Sequence, residues 1–165
     1  MPTILCAART IETRRATWAE IDLAAKTWTI PGSRMKAGRD HRVPLSPRCV
    51  QILNRAKALS TGGPFVFPGR TPIKPMSHAA LIKTLWRMGH RDVTVHGFRS
   101  SFRDWAADRT SFPRAVCEAA LAHALRDKTE AAYHRTDLFE RRRELMESWS
   151  RFATGKLADV VAIRA

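Results

Sequence analysis

The stretch from His96 to Leu145, HGFRSSFRDWAADRTSFPRAVCEAALAHALRDKTEAAYHRTDLFERRREL, decides how the rest of the chain is read. Its Phe98, Phe102 and Trp105 fall on one helical face, and both Asp127-x-x-Glu130 and Asp137-x-x-Glu140 have the form of a helix start with a capping-box acid. The last of these helices carries Leu138, Leu145, Trp149 and Phe152 and ends near Gly155. The C-terminal half is therefore predicted to be almost wholly helical. Within it, His96 and Arg99 stand three residues apart at a helix start, on one face, where an anion is favoured. Taken alone, such a pair also describes two solvated surface side chains. His123, in Leu121-Ala122-His123-Ala124, lies in an otherwise apolar predicted helix and reads equally as a core histidine. Tyr133, the only tyrosine, reads by itself as an amphipathic residue at the core edge.

Upstream the periodicity changes. Thr17 to Leu45 alternates apolar and polar residues around two turn signals, Ile21 to Lys26 and Lys36 to Asp40. Trp28-Thr29-Ile30 and Arg42-Val43-Pro44-Leu45 are then strands of a small antiparallel sheet. Ser46 followed by Pro47 is an N-cap with proline at the first helical position, and Val50, Leu53 and Ala56 continue a helix of about three turns. Phe65-Val66-Phe67 is a short extended piece. Ser77 is expected to cap a further helix through Ala80, Leu81, Leu85 and Met88 that stops at Gly89. The fold class is mainly α with a small antiparallel β-sheet, an α+β arrangement.

At 165 residues the chain fits one domain able to bury a core without disulfides or a structural metal. Lys and Arg number 29 against 15 Asp and Glu, a net charge of +14, which attracts polyanions. The basic residues are interleaved with apolar ones, so a folded surface facing nucleic acid fits better than a basic tail; a cationic, ribosome-like surface is the alternative. Cys6, Cys49 and Cys117 lack metal-ligand spacing and read as reduced packing residues. No secretory leader and no membrane-length apolar run is evident, which points to the cytoplasm and away from membranes.

The order His-x-x-Arg, then His, then Tyr in the block quoted above resembles the C-terminal catalytic domain of tyrosine recombinases, the phage integrase family. TWAEIDLAAKTWTIPGSRMKAGRDHRVPLS, residues 17–46, is similar to that family's three-stranded sheet, with Lys36 in the turn between its second and third strands. LCAARTIETRRATW, residues 5–18, is similar to the segment with the family's first arginine, normally within Thr-Gly-x-Arg-x-Gly-Glu. Arg9 and Glu12 then match, while Ala7 and Ile11 stand where the pattern has glycines, and Thr13 and Arg14 replace usually apolar residues.

The resemblance implies a site-specific DNA recombinase that cuts and rejoins strands through a 3′-phosphotyrosine, without metal, nucleotide or other cofactor. It implies Tyr133 as nucleophile, Arg9, Lys36, His96, Arg99 and His123 as catalytic partners, and Glu12 in support. Its partners would be double-stranded DNA and further recombinase subunits, assembled as a tetramer. Residues 1–155 would form an N-terminally shortened catalytic domain and 156–165 a tail, with no core-binding or arm-binding domain ahead of it. Two other readings compete. One is an inactive integrase remnant that only binds DNA or recombinase subunits, motivated by Ala7, Ile11 and Arg14. The other is an unrelated helical DNA-binding protein, which would make the His, Arg, His and Tyr series a coincidence. A type IB topoisomerase would use similar chemistry, but the sheet segment and AAYHRTDLFERRR look like an integrase.

Overall fold

The computed structural model describes residues 2–123 and 138–155. Tyr133, the helix start at Asp127 to Glu130 and the tail after Gly155 lie outside the described residues. Among the described residues, seven α-helices and three strands follow one another: α1 Pro2–Leu5, α2 Thr10–Arg14, β1 Ile21–Asp22, β2 Thr27–Ile30, β3 His41–Pro44, α3 Pro47–Ala58, α4 Ala80–Arg87, α5 Gly97–Arg109, α6 Arg114–Ala120 and α7 Phe139–Ala153. The α+β expectation holds, and the sheet is antiparallel in the order β1-β2-β3.

The sheet is pinned at its centre by Trp28, which pairs with Ile21 on one side and Val43 on the other. Its indole Nε1 donates to Glu20 at 2.9 Å, and Arg34 pairs with the same carboxylate. Ile21 and Asp22 belong to a strand; the sequence reading had placed them in a turn, which the structure confines to the residues after Asp22. Two residues are too few to show a period of two, and only pairing with Thr27 and Trp28 defines them. Pro44 has no amide hydrogen to give to a ladder and sits on the edge strand β3. Trp28, Ile30, Val43, Leu53 and Val66 form the core beneath the sheet.

Local signals decide α3. The Ser46 hydroxyl accepts from the Cys49 amide at 3.3 Å, and Pro47 opens the helix as expected. They mislead at α4, where Ala79, not Ser77, occupies the N-cap; Ser77 contributes only its carbonyl to a turn that precedes the helix. Phe65 and Val66 run extended against residues 16–18, with Val66 N donating to Ala16 O at 2.9 Å. The three cysteines are buried free thiols, as the sequence suggested, with the sulfurs of Cys6 and Cys49 3.5 Å apart.

The second core joins the helices. Phe102, Val116, Leu121, Leu145, Met146 and Trp149 pack together, and the Trp149 indole donates to Ile4 O at 2.8 Å, tying α7 to α1. Leu145 and Trp149 thus complete the chain's own core, while Phe152 stays exposed against Trp105. Leu138 takes the N-cap position of α7, and Glu140 in its first turn pairs with Arg143 at 3.1 Å. Phe98 departs from the face it shares in sequence with Phe102 and joins a third cluster, with Leu81, Leu85 and Val95. Among the described residues no helix is long and apolar enough to cross a membrane.

Helices α1 and α6 end alike. After α1, Ala8 N donates to Thr3 O at 3.1 Å and Ala7 N to Ile4 O at 3.0 Å; after α6, His123 N donates to Glu118 O at 3.0 Å and Ala122 N to Ala119 O at 3.1 Å. Both are Schellman closures, and each needs its C′ residue in the left-handed region. Ala7 has φ 46° and Ala122 φ 50°. An L-residue pays roughly 1–2 kcal/mol there that glycine does not. Ala122→Gly should therefore raise the unfolding free energy by about 0.5–1 kcal/mol in chemical denaturation. Ala7→Gly should change it little, because the buried Ala7 methyl it deletes contributes about 0.8 kcal/mol of its own.

Candidate active site

Arg99, on the first turn of α5, is 7% exposed. A buried guanidinium must find acceptors for its hydrogens or the fold loses several kcal/mol. The two helix ends just described supply them: Nη1 donates to Ala7 O, and Nη2 donates to Leu121 O at 2.7 Å. Nη2 also lies 3.1 Å from His123 Nε2. Burial, and then the neighbouring Arg9, push the Arg99 guanidinium down to about 10, with Glu12 and Glu118 pulling the other way. It is still a cation at neutral pH.

Arg9 caps the start of α2. Its backbone amide donates to Glu12 Oε2 at 2.6 Å and its Nη1 to Glu12 Oε1 at 2.7 Å, so one buried carboxylate closes the helix end and orients the guanidinium. Arg9 keeps 31% of its side chain exposed and Glu12 5%. The altered motif around Arg9 builds this arrangement without glycine: Ala7 adopts the positive φ that a glycine would take, Ile11 is turned to solvent, and Arg14 Nε donates to Met76 O at 2.9 Å.

His123 is not inside a helix, as its apolar surroundings had suggested. It is the residue after the left-handed Ala122, where α6 has already ended. The turn sends its ring back towards α6, with Nδ1 2.7 Å from Glu118 Oε2. Glu118 Oε1 in turn accepts from Arg103 Nε at 3.1 Å. Burial alone would raise the Glu118 carboxyl, but hydrogen bonds from His123 and Arg103 outweigh it and hold the group below its ordinary value.

Arg9, Glu12, Arg99 and His123 are thus brought together. His96 and Lys36 are exposed and stand apart from these contacts. His96 occupies the N-cap position of α5, where the Thr94 hydroxyl, not the imidazole, accepts from the Gly97 amide at 3.0 Å. His96 is exposed at this helix start, whereas Arg99, three residues on, is buried. Lys36 lies in the loop between β2 and β3 as expected, and this loop is braced by Asp40 Oδ1, which accepts from Gly32 N at 2.8 Å. Tyr133 lies outside the described residues. Among the described residues no cluster of His, Cys, Asp and Glu is placed to hold a metal ion.

Residues 3–138 match the family model described as the phage integrase family. The chain belongs to the phage integrase family. Its α+β architecture is that of a tyrosine recombinase catalytic domain. This integrase-family chain is 42% identical over 149 residues to the prophage integrase IntA of Escherichia coli K12, covering 89% of this chain and 36% of that protein. It is 35% identical to the prophage integrase IntZ of the same organism, covering 89% and 37%. It is 30% identical to the integrase of Enterobacteria phage P4, again covering 89% and 37%. The chain therefore spans a little over a third of the length of these relatives.

Sequence reasoning missed three residues around this cluster. Glu118 is one. Arg142, in a basic run that reads as surface, is 2% exposed and donates from Nη1 to Arg42 O at 2.7 Å. The third is His41, the first residue of β3. Burial and then Arg142 push its imidazole down to about 4; Glu12 opposes this, while Arg9 and Arg99 add smaller pushes. No local signal separates His41 from other strand residues, because its neighbours come from α2, α5 and α7.

An unfolded histidine binds its proton near pH 6.5, whereas folded His41 does so only near 4. Between those values the unfolded chain holds more protons, so this contribution to stability is complete above pH 6.5 and is lost as pH falls towards 4. Urea unfolding of wild type and His41→Gln from pH 7.5 to 4 should show the variant gaining about 2–3 kcal/mol relative to wild type across that range. Parallel curves would mean that His41 titrates as an ordinary histidine.

Proposed function

We propose that this chain supplies the catalytic domain of a site-specific DNA recombinase, which breaks and rejoins strands through a phosphotyrosine bond. The observation that carries the reading is the convergence of Arg9, Arg99 and His123 in an integrase-family chain: Arg99 bonds His123, and Arg9 is close enough to shift Arg99 electrostatically. Two guanidinium groups and an imidazole at one place are suited to a phosphodiester, whose non-bridging oxygens gain charge as a fifth oxygen approaches phosphorus. The net charge of +14 would draw the DNA backbone in and make binding steeply dependent on salt.

In this mechanism the Tyr133 oxygen attacks phosphorus, forming a 3′-phosphotyrosyl ester as the bond to the 5′-oxygen breaks. An ordinary phenol holds its proton to about pH 10, so His96 accepts it during attack while the cationic site favours the developing phenolate. Arg9, oriented by Glu12, and Arg99 clamp the non-bridging oxygens with planar forks. Lys36, carried on its loop, gives a proton to the departing 5′-oxygen. His123 hydrogen-bonds the phosphate and keeps it in line. The free 5′-hydroxyl of a second strand then reverses each step, so the energy of the broken bond is kept in the ester and no nucleotide is consumed. Double-stranded DNA is the substrate, and further recombinase subunits, four on two duplexes, are the partners.

The Ala7 and Ile11 replacements that motivate the remnant reading lose force, because the backbone and the Arg9–Glu12 pair form in spite of them. The test uses a duplex carrying the junction sequence of the genomic element that encodes the chain, nicked beside the cleavage position so that the released fragment diffuses away. A denaturant-stable protein–DNA adduct is expected with the wild-type chain and none with Tyr133→Phe. Arg9→Ala and Arg99→Lys should slow adduct formation about a hundredfold or more. DNA binding without any adduct from the wild-type chain would favour the remnant.

A further inference from the structure

We propose that Glu118 is a positioning residue for strand cleavage, which fixes His123 as the Nδ1–H tautomer and stabilises the charge His123 acquires on a phosphate. The proposal rests on the functional reading only in taking a phosphate to be what His123 faces.

Both nitrogens of the ring are occupied, and by groups of opposite kind. A carboxylate oxygen, which can only accept, lies 2.7 Å from Nδ1. A guanidinium nitrogen, which can only donate, lies 3.1 Å from Nε2. The Nδ1–H tautomer satisfies both contacts. The Nε2–H tautomer, which an unconstrained neutral histidine prefers, would set a lone pair against the carboxylate and two N–H groups against each other. His123 is therefore held with an acceptor at Nε2, turned to Arg99.

A phosphate oxygen needs a donor at that position. When one enters, the Arg99 N–H turns to it and Nε2 takes up a solvent proton, giving an imidazolium that donates to the phosphate from Nε2 while Nδ1–H still donates to Glu118. A carboxylate against the far nitrogen orients the ring and supports the positive charge it carries while donating to a phosphate. The carboxylate is itself held. Arg103 Nε bonds Oε1 at 3.1 Å, so both ends of the series Arg99, His123, Glu118, Arg103 come from α5, one helical turn apart. The Glu118 side chain is 12% exposed against 40% for His123, as expected of a supporting group behind one that meets a ligand.

Nitrogen-15 spectra of the DNA-free full chain at mildly alkaline pH read the tautomer directly, with His123 assigned by its disappearance in His123→Gln. The Nδ1–H form is expected in wild type and a shift towards Nε2–H in Glu118→Ala; an Nε2–H form in wild type overturns the proposal without recourse to any variant. In the adduct assay, Glu118→Gln keeps the shape and removes the charge, and should slow cleavage about tenfold or more in wild type and not at all in the His123→Gln background. An equal loss in both backgrounds would make Glu118 merely structural and overturn the proposal. A wild-type chain that shows the Nδ1–H form, reversed by Glu118→Ala, yet forms no adduct would refute the functional reading and support the assignment of Glu118 as the residue that sets the tautomer.

Discussion

The burial of one guanidinium organises this molecule. Arg99 enters the interior from the first turn of α5 and is satisfied by the carbonyls of Ala7 and Leu121, at the ends of α1 and α6. Two consecutive helices and a third, 92 residues away along the chain, must therefore arrive together, because losing either acceptor leaves a buried cation short of partners at a cost of several kcal/mol. The carbonyls are available only because both helices stop there, and they stop through left-handed alanines. Local backbone strain and the placement of the charged group are two sides of one arrangement.

Helix α7 is tied in by the same means. Arg142 is buried and donates to the carbonyl of Arg42 on β3, while the Trp149 indole reaches Ile4 on α1. The sheet, which carries Lys36 on its loop and His41 at the loop's end, is thereby fixed relative to the α1–α2 segment that carries Arg9. Apolar packing of Leu145, Met146 and Trp149 provides the bulk of the burial at this junction, and the directional bonds from Arg142 and Trp149 select its register.

What the sequence discloses is what depends on neighbours along the chain. Ser46 and Pro47 announce α3 because a cap needs only the next three residues. The order of His96, Arg99, His123 and Tyr133 is legible for the same reason that any motif is, as spacing. Ile21 and Asp22 were misplaced because two residues carry no period, and His123 was placed in a helix because Ala122 gives none of the warning a glycine would give. His41, Glu118 and Arg142 could not be found this way. His41 matters for what α2, α5 and α7 bring beside it, Glu118 for a histidine beyond a helix end, and Arg142 for a strand a hundred residues earlier.

The electrostatics of the site share one sign. The Arg99 guanidinium is pushed down by burial and by Arg9, and the His41 imidazole by burial and by Arg142. In each case a cation resists a neighbouring cation, although two carboxylates, Glu12 and Glu118, already lie within the cluster and pull in the opposite direction. Those carboxylates are committed, Glu12 to Arg9 and Glu118 to Arg103 and His123. Arg9 and Arg99 therefore bear part of their mutual repulsion within the fold, an arrangement suited to the phosphate proposed above. Attachment of Arg99 to two helix ends maintains that closeness, because a guanidinium without those acceptors would swing away from Arg9 into water.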